Sequence, residues 1–206
     1  MTLLAMLRHA ETDWSGEGRI QGRTDVPLND AGRRALRRYT LPEEFRAMGV
    51  VTSPLLRCVE TAAQLGLSPA ARDDRLAEMH WGIWEGRRLT DLRAEQGDAM
   101  RENEARGLDF APPGGESPRD VLARLRGWLT QVAADGRPTL AISHRGVIRV
   151  IFAAATNWDM RGRPAVKLDW STLHVFRLDP AGMPSVHRLN VPLAVPSQRM
   201  RAESGN

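Results

Sequence analysis

The chain has few cysteines and no long apolar runs, and each shortage excludes a class of protein. Cys58 is the only cysteine among 206 residues, so a scaffold held by internal disulfides is excluded. The longest apolar runs are too short for a membrane-spanning helix. Residues 2–7 (TLLAML) are apolar but lack a basic leader and a small-residue cleavage site, so no export signal is visible. We therefore expect a cytoplasmic protein with no membrane partner.

Lysine is almost absent, because Lys167 is the only one among 29 basic residues. The formal net charge is +4, but the arginines are interleaved with Asp and Glu and form no basic run. Scattered charge of this kind is typical of a solvated surface, so we expect no nucleic-acid partner. The length fits one domain with a substantial core. We expect a single domain over residues 1–195 and a disordered tail over residues 196–206.

Short strand-like runs alternate with helical patterns along the chain, which predicts an α/β fold. A polar, glycine-containing loop is expected at residues 8–29, a turn at residues 66–69 and an irregular connection at residues 76–86. Ser53 and Pro54 indicate a helix start, and Ser117 with Asp120 indicates another. The predicted strands are residues 2–7, 48–52, 138–143, 172–178 and 185–190, and the remaining predicted helices are residues 30–39, 90–106 and 146–155.

Two predicted strands end directly in histidine, the first at His9 and a later one at His144. The carboxyl ends of strands are where ligands sit in an open α/β sheet. If the two strands are neighbours, both imidazoles and Arg8 open onto one crevice. Arg57, in the first turn of a predicted helix, can point to the same place, where the helix dipole favours an anion. One histidine is thus surrounded by cationic or donor groups.

This arrangement suits the transfer of a phosphoryl group. Catalysis of that reaction needs fixed donors around three equatorial oxygens and a nucleophile in line with the leaving oxygen. A neutral imidazole can be the nucleophile if its other nitrogen keeps its proton through a backbone hydrogen bond. Glu78 is the candidate acid for the leaving oxygen, because nearby Trp81, Ile83 and Trp84 can desolvate its carboxyl group and raise its pKa.

Seven short motifs occur in a fixed order over most of the chain to about residue 150, and together they resemble the histidine phosphatase superfamily, which includes the phosphoglycerate mutases. The first motif, R-H-A-E-T at residues 8–12, matches that family's R-H-G-E-T signature. The others are R-I-Q-G (19–22), D-V-P-L (25–28), S-P-L-L-R-C-V-E-T-A (53–62), L-A-E-M-H-W-G-I-W-E-G (76–86), P-G-G-E-S (113–117) and S-H-R-G-V-I-R (143–149).

The resemblance implies a phosphoglycerate mutase-like fold, a three-layer α/β/α arrangement with a mostly parallel central sheet. It implies a phosphorylated nucleophile at His9, a proton donor at Glu78, and a substrate that is a small phosphorylated molecule. No metal or cofactor is implied. The remaining implied residues bind phosphoryl oxygens (Arg8, Arg57 and His144) or line the substrate site (Ser15, Gln21 and Gly22).

Three positions depart from the family pattern. Ala10 stands where the family usually has Gly, and Ser15 stands where it usually has Asn, so one expected phosphate donor is a shorter hydroxyl. Arg145 follows the second histidine, where the family often has Gly. Its side chain either leans over the pocket or faces solvent, and the sequence leaves both interpretations open.

Other kinds of site fit the sequence less well. A zinc site is disfavoured because Arg8 adds positive charge beside His9. A thiol phosphatase loop, C-x5-R, would need arginine where Gln64 follows Cys58. Glu85 and Glu11 compete with Glu78 for the role of the acid, and Glu78 is preferred for its motif spacing. His80, His174 and His187 are expected to have no catalytic role.

The family contains both phosphatases and mutases, and the sequence favours a phosphatase. Mutases carry a long insertion after the acid motif, whereas only a modest polar stretch separates Gly86 from Pro112. The predicted function is metal-independent hydrolysis of a phosphomonoester through a phosphohistidine. The alternatives are a cofactor-dependent phosphoglycerate mutase, an α-ribazole phosphatase-like enzyme and a silent phosphate-binding scaffold. The substrate and the oligomeric state, a homodimer included, stay open.

Overall fold

A six-stranded sheet forms the centre of the protein, whose residues 1–68 and 71–195 are described by a computed structural model. Its strands are β1 Thr2–Arg8, β2 Gly49–Thr52, β3 Ala71–Arg72, β4 Thr139–Ser143, β5 Leu173–Leu178 and β6 Pro184–Val191. They lie in the order β3-β2-β4-β1-β5-β6. The pairs among β1, β2, β3 and β4 are parallel, and β5 pairs antiparallel with both β1 and β6. The predicted mostly parallel sheet is confirmed.

Seven α-helices occur in the described residues: α1 Asp13–Gly16, α2 Asp30–Leu36, α3 Leu56–Gln64, α4 Leu89–Gln96, α5 Asp98–Glu104, α6 Pro118–Asp135 and α7 Arg145–Thr156. The longest, α6, begins as predicted, with Pro118 in its first turn and a capping box in which Ser117 and Asp120 exchange hydrogen bonds. None of the described helices is long and apolar enough to cross a membrane.

Alternate residues of β1 face opposite layers of the core. Leu4 and Met6 belong to the apolar cluster that α6 and α7 complete, whereas Ala5 and Leu7 belong to the cluster completed by α2 and α3. Side chains alternate in this way on any strand, so a strand apolar at consecutive positions is covered on both faces. Helices therefore cover both faces of the sheet, and the three-layer prediction is confirmed.

Two helix predictions are corrected by the structure. The helix expected at Ser53 begins at Leu56, because Ser53 continues the sheet through its N–H, which donates to the Ile142 carbonyl. The single helix expected over residues 90–106 is two helices, α4 and α5, separated by Gly97 with a positive φ of 53°. That conformation is accessible to glycine and interrupts the helical hydrogen bonds.

Several short elements were missed. The predicted loop at residues 8–29 contains α1, and the two-residue strand β3 had no pattern long enough to indicate it. The connection expected at residues 76–86 is irregular as predicted, with a 3-10 turn at Gly82–Trp84. The predicted tail over residues 196–206, and Pro69 at the end of the predicted turn, lie outside the described residues.

Candidate active site

The ends of three neighbouring strands bring the predicted site residues together. Strand β4 lies between β1 and β2, with Arg8 opposite Ser143 and Thr52 opposite Ile142 in register. The ladder continues one step beyond β1, since the N–H of His9 donates to the Ser143 carbonyl at 3.0 Å. His9 and His144 consequently face each other, with ring centroids 5.2 Å apart. The strand adjacency assumed from the sequence is confirmed.

The imidazole of His9 is oriented by a local backbone contact. Its Nδ1 lies 2.7 Å from the carbonyl oxygen of Ala10. Because a carbonyl only accepts, Nδ1 carries the proton and Nε2 is the unprotonated nitrogen of the neutral ring. Burial holds the pKa of His9 well below its usual value, and the positive charges of Arg8 and Arg57 lower it further. The ring therefore stays neutral, as a nucleophile must.

His144 is buried and fully engaged by neighbouring side chains. Its Nδ1 accepts from Arg57 Nε at 3.3 Å, and its Nε2 lies 2.7 Å from the hydroxyl of Ser53. The sulfur of Cys58 lies 3.4 Å from the same Nε2. Burial, then the charge of Arg57, holds the pKa of His144 well below its usual value. A phosphoryl oxygen would have to replace one of these partners to bind this ring.

Arg57 joins the second histidine to the loop after β1. Its terminal nitrogens donate to the carbonyls of Thr24 at 2.9 Å and Gly22 at 2.7 Å. Each terminal nitrogen still has one N–H to offer. The guanidinium is fully buried, so it holds the loop against the strand edge and presents a fixed positive charge there.

Arg8 contributes a second cation, which is partly buried and whose contacts are incomplete. Its Nε is buried and has no hydrogen-bond partner among the described residues. Burial lowers the pKa of Arg8, and the charges of Arg145 and Arg57 add to that effect while Glu78 opposes it. An unpartnered buried N–H is costly unless a ligand satisfies it. A bound anion would do so.

Glu78 reaches the same edge of the sheet from the irregular connection after β3. It is 9% exposed, and its two carboxyl oxygens accept from the N–H of Met79 at 2.9 Å and of Gly146 at 3.1 Å. Gly146 is the second residue of α7 and lies two positions after His144. The carboxyl group is thus held at the start of α7. Ile83, expected to cover it, is 75% exposed and points elsewhere.

The two competing carboxylates have other partners. Glu85 accepts from the N–H groups of Arg23 and Trp81 and from both the N–H and hydroxyl of Thr24. Burial opposes ionisation of Glu85, but these hydrogen bonds outweigh it and lower its pKa. A carboxylate held in its ionised form is a poor acid. Glu11 accepts from Asn29 at the surface.

An open cleft of about 620 Å³ leads to His9 and is lined by Arg8, Ser15 and Trp170. Ser15 therefore reaches the cleft, although its hydroxyl already bonds to the backbone of Thr12. The amide oxygen of Gln21 accepts from the Thr12 hydroxyl at 3.0 Å, so this side chain stabilises the loop that follows β1. The polar contacts in the structure make Gln21 and Gly22 neighbours of the site rather than part of the cleft lining.

Sequence reasoning missed the residues that position the histidines. Ser53 and Cys58 contact His144, and the hydroxyl of Thr61 accepts from the N–H of Ala10 at 3.0 Å. Thr61 also donates to the Arg57 carbonyl at 2.6 Å. All three lie inside the S-P-L-L-R-C-V-E-T-A motif, so their spacing relative to Arg57 was the available signal.

Residues 4–192 match the family model described as histidine phosphatase superfamily, branch 1. The chain belongs to this superfamily. Glucosyl-3-phosphoglycerate phosphatase of Mycolicibacterium vanbaalenii is 32% identical over 179 residues, which cover 77% of this chain and 78% of that protein. The 2,3-bisphosphoglycerate-dependent phosphoglycerate mutase 2 of Gloeobacter violaceus is 32% identical over 162 residues, covering 73% and 74% of the two chains.

A solved phosphatase structure shares the fold. The mycobacterial glucosyl-3-phosphoglycerate phosphatase in complex with inorganic phosphate superposes with a TM-score of 0.74 at 26% identity, over 93% of this chain and 98% of that one. These similarities confirm the predicted superfamily, its phosphoglycerate mutase-like fold and a phosphoric monoester hydrolase as the enzyme class. The roles assigned to individual residues stay predictions.

Proposed function

We propose that this histidine phosphatase hydrolyses a small phosphorylated metabolite through a phosphohistidine at His9, without a metal ion. The observation that carries the proposal is the 2.7 Å contact between His9 Nδ1 and the Ala10 carbonyl, which leaves Nε2 with a free lone pair. The depressed pKa of His9 supports it further, because burial and the neighbouring arginines favour the unprotonated ring.

In the first step, His9 Nε2 attacks phosphorus and the bond to the leaving oxygen breaks. Glu78 in its acid form gives that oxygen a proton, so the product leaves as an alcohol. In the second step, water attacks the phosphohistidine, Glu78 takes a proton from the water, and the P–N bond breaks. Inorganic phosphate is released and His9 returns to its neutral form.

The developing charge on the phosphoryl oxygens is stabilised by fixed donors. Arg8 offers the Nε that has no partner among the described residues, and Arg57 offers one N–H on each terminal nitrogen. His144 joins them by exchanging the hydroxyl of Ser53 for a phosphoryl oxygen. Arg57 needs no reorganisation during the reaction, because burial and its two backbone contacts already fix its position.

The substrate site extends from His9 into the open cleft. Ser15 is proposed as a direct contact, whereas Gln21 and Gly22 act by shaping the loop that Arg57 holds. Similarity to glucosyl-3-phosphoglycerate phosphatase makes phosphorylated sugar acids the first compounds to screen. A cytoplasmic location and the lack of a nucleic-acid partner belong to the same proposal, and the scattered arginines support the latter.

The test is release of phosphate from p-nitrophenyl phosphate in EDTA. We expect His9→Ala to lose at least about a thousandfold in kcat, because the covalent route requires the imidazole. His80→Ala, which removes a partly exposed histidine expected to have no catalytic role, is the matched control and should stay active. Labelled phosphate should be trapped on the wild-type chain in an acid-sensitive form. Undiminished activity of His9→Ala would contradict the mechanism.

Mutase activity is the second candidate, because a phosphoglycerate mutase is among the 32% identical relatives. A phosphohistidine that transfers its group to a second phosphoglycerate rather than to water would give that reaction. Interconversion of 2- and 3-phosphoglycerate, measured with and without 2,3-bisphosphoglycerate, distinguishes the two activities. We expect phosphate release to be the faster process.

A further inference from the structure

A second cavity, of about 610 Å³, adjoins the active-site cleft and is strongly cationic. Trp170 lines both spaces. The lining also includes the N-terminal half of α7 and the segment that follows it, and its basic and tryptophan side chains are Arg145, Arg149, Arg163, Lys167, Trp158 and Trp170. We call this space the outer cavity.

The four cations of the outer cavity have no carboxylate within 4.0 Å among the described residues. The two aspartates in the segment that follows α7 have other partners. Asp159 lies 3.8 Å from Arg161, and Asp169 accepts from the N–H and hydroxyl of Ser171. No direct ion pair within the described part of the chain therefore neutralises the four cations, although Asp169 acts on Lys167 and Glu78 on Arg149 at longer range.

Two of the cations are held in fixed positions by aromatic rings. The guanidinium of Arg145 lies 5.2 Å from the ring centre of Trp170, and that of Arg149 lies 5.3 Å from the ring centre of Trp158. Cation–π contacts of this length orient a guanidinium while leaving its N–H edge available. The arginines are thus presented to the cavity rather than spread over the surface.

The placement of these arginines is unfavourable for the helix itself. Arg145 and Arg149 are four residues apart on α7, where like charges repel. Arg145 also occupies the first turn, near the positive end of the helix dipole, and that turn contains no acidic residue. A bound anion would relieve both repulsions, so the arrangement is suited to a ligand.

A charge of the outer cavity acts on the phosphoryl site. Arg145 directly follows His144. Burial is the main cause that lowers the pKa of Arg8 and of Arg149, and the charge of Arg145 is the second cause for both. Arg149 lies on the order of 6 Å further along the helix axis than Arg145. A molecule whose phosphate contacts Arg8 can therefore extend past Trp170 towards Arg149.

We propose that the outer cavity binds a second anionic group of the substrate, a carboxylate or another phosphate. This inference rests on the proposed function, since it assumes that the first phosphate reacts at His9. It gives Arg145 a role, which the sequence left open, at the junction of the two anion sites. The preferred substrate is then a phosphomonoester that carries another negative charge several ångströms from the scissile bond.

The test compares inhibitors of p-nitrophenyl phosphate hydrolysis that differ in the second anion. One pair is 3-phosphoglycerate and glycerol 3-phosphate, which differ in a carboxylate. The other is fructose 1,6-bisphosphate and fructose 6-phosphate, which differ in a phosphate. In the wild type we expect the inhibition constant of at least one doubly anionic compound to be about tenfold lower than that of its partner. The pair that shows the difference identifies the anion.

Two independent variants remove the outer cations, Arg149→Gln on α7 and the double variant Arg163→Gln/Lys167→Gln on exposed residues. Both should reduce the preference to about twofold or less, with kcat for p-nitrophenyl phosphate close to wild type. Arg126→Gln removes one exposed arginine of α6 and should keep the preference.

Other results would contradict either the outer-cavity proposal or the proposed function. A wild type without any preference, or a preference that survives both variants, overturns the proposal. An equal loss with Arg126→Gln also overturns it, because net charge alone would then explain the effect. If the wild type does not hydrolyse p-nitrophenyl phosphate, the proposed function fails, and calorimetric binding of the same pairs tests the outer cavity separately.

Discussion

A single glycine controls the position of the candidate acid. The N–H of Gly146 donates to one oxygen of Glu78, and a Cβ added at Gly146 would lie 2.4 Å from the other oxygen. The obstructing atom is the end of a flexible side chain, so the carboxyl group would move and the helix would not. Activity and stability should therefore respond differently to a substitution here.

Gly146→Ala is expected to lower kcat about a hundredfold for glycerol 3-phosphate, because a displaced acid no longer reaches the leaving oxygen. The loss should be smaller for p-nitrophenyl phosphate, whose leaving group needs little protonation. The thermal midpoint should stay close to wild type. Gly16→Ala, whose added Cβ would make only an ordinary 3.5 Å contact with Glu11, is the control. Equal losses of kcat on both substrates would contradict the role of this glycine in positioning the acid.

Individual site residues were predictable to different degrees. The residues predicted for the site, because each stands in a motif whose order along the chain is informative, are Arg8, His9, Arg57, Glu78 and His144. Ser53 and Thr61 were not predicted as site residues, because their hydroxyls contact residues far away in sequence and only their spacing from Arg57 within the motif could have indicated this. The pattern also could not show that both nitrogens of the second histidine are already hydrogen-bonded.

At the scale of elements, glycines determine where the helices of one segment end. Gly97 has φ 53° and ψ −118°, a combination that strains any residue with a Cβ. It separates α4 from α5, so residues 90–106, which were predicted to form one polar helix, contain two helices. Gly127, by contrast, lies inside α6, and an added Cβ there would meet nothing closer than 3.8 Å.

The same substitution should have opposite effects at these two glycines. Gly97→Ala is expected to lower the free energy of unfolding by about 1–3 kcal/mol, because alanine disfavours the required backbone conformation. Gly127→Ala should raise it by about 1 kcal/mol, because alanine is the better helix former. Urea denaturation of both variants beside the wild type measures the two changes. Destabilisation by both would mean that Gly127 packs more tightly than its surroundings indicate.

At the scale of the molecule, the alternation of strands and helices predicted an α/β fold. The edge of the sheet where the strands end was then the expected place for the site. The two histidines that follow β1 and β4 face each other only because these strands are adjacent and parallel. The sequence did not indicate the position of β3, because two residues form no recognisable pattern. It also did not indicate the outer cavity, which depends on how α7 packs beside Trp158 and Trp170.

Burying two neutral histidines makes the stability of the whole protein depend on pH. Burial and the neighbouring arginines hold the pKa of His9 and of His144 well below 6.5, the ordinary value that each regains on unfolding. Below about pH 6.5 the unfolded chain binds protons that the folded chain does not. Unfolding is then favoured by acid, so this part of the stability is complete above pH 6.5 and is lost as the pH falls below it.

Replacing one of these histidines should therefore flatten the pH dependence. Between pH 6.5 and pH 5, the stability of His144→Gln should fall less steeply than that of the wild type, by at most about 1.4 kcal/mol per pH unit. Carboxyl groups that titrate in this range are the same in both proteins, so the difference isolates the histidine. His80→Gln removes an exposed imidazole and should keep the wild-type slope. Urea denaturation at four pH values decides the matter, since parallel slopes for wild type and His144→Gln would mean that the buried ring is charged in the folded protein.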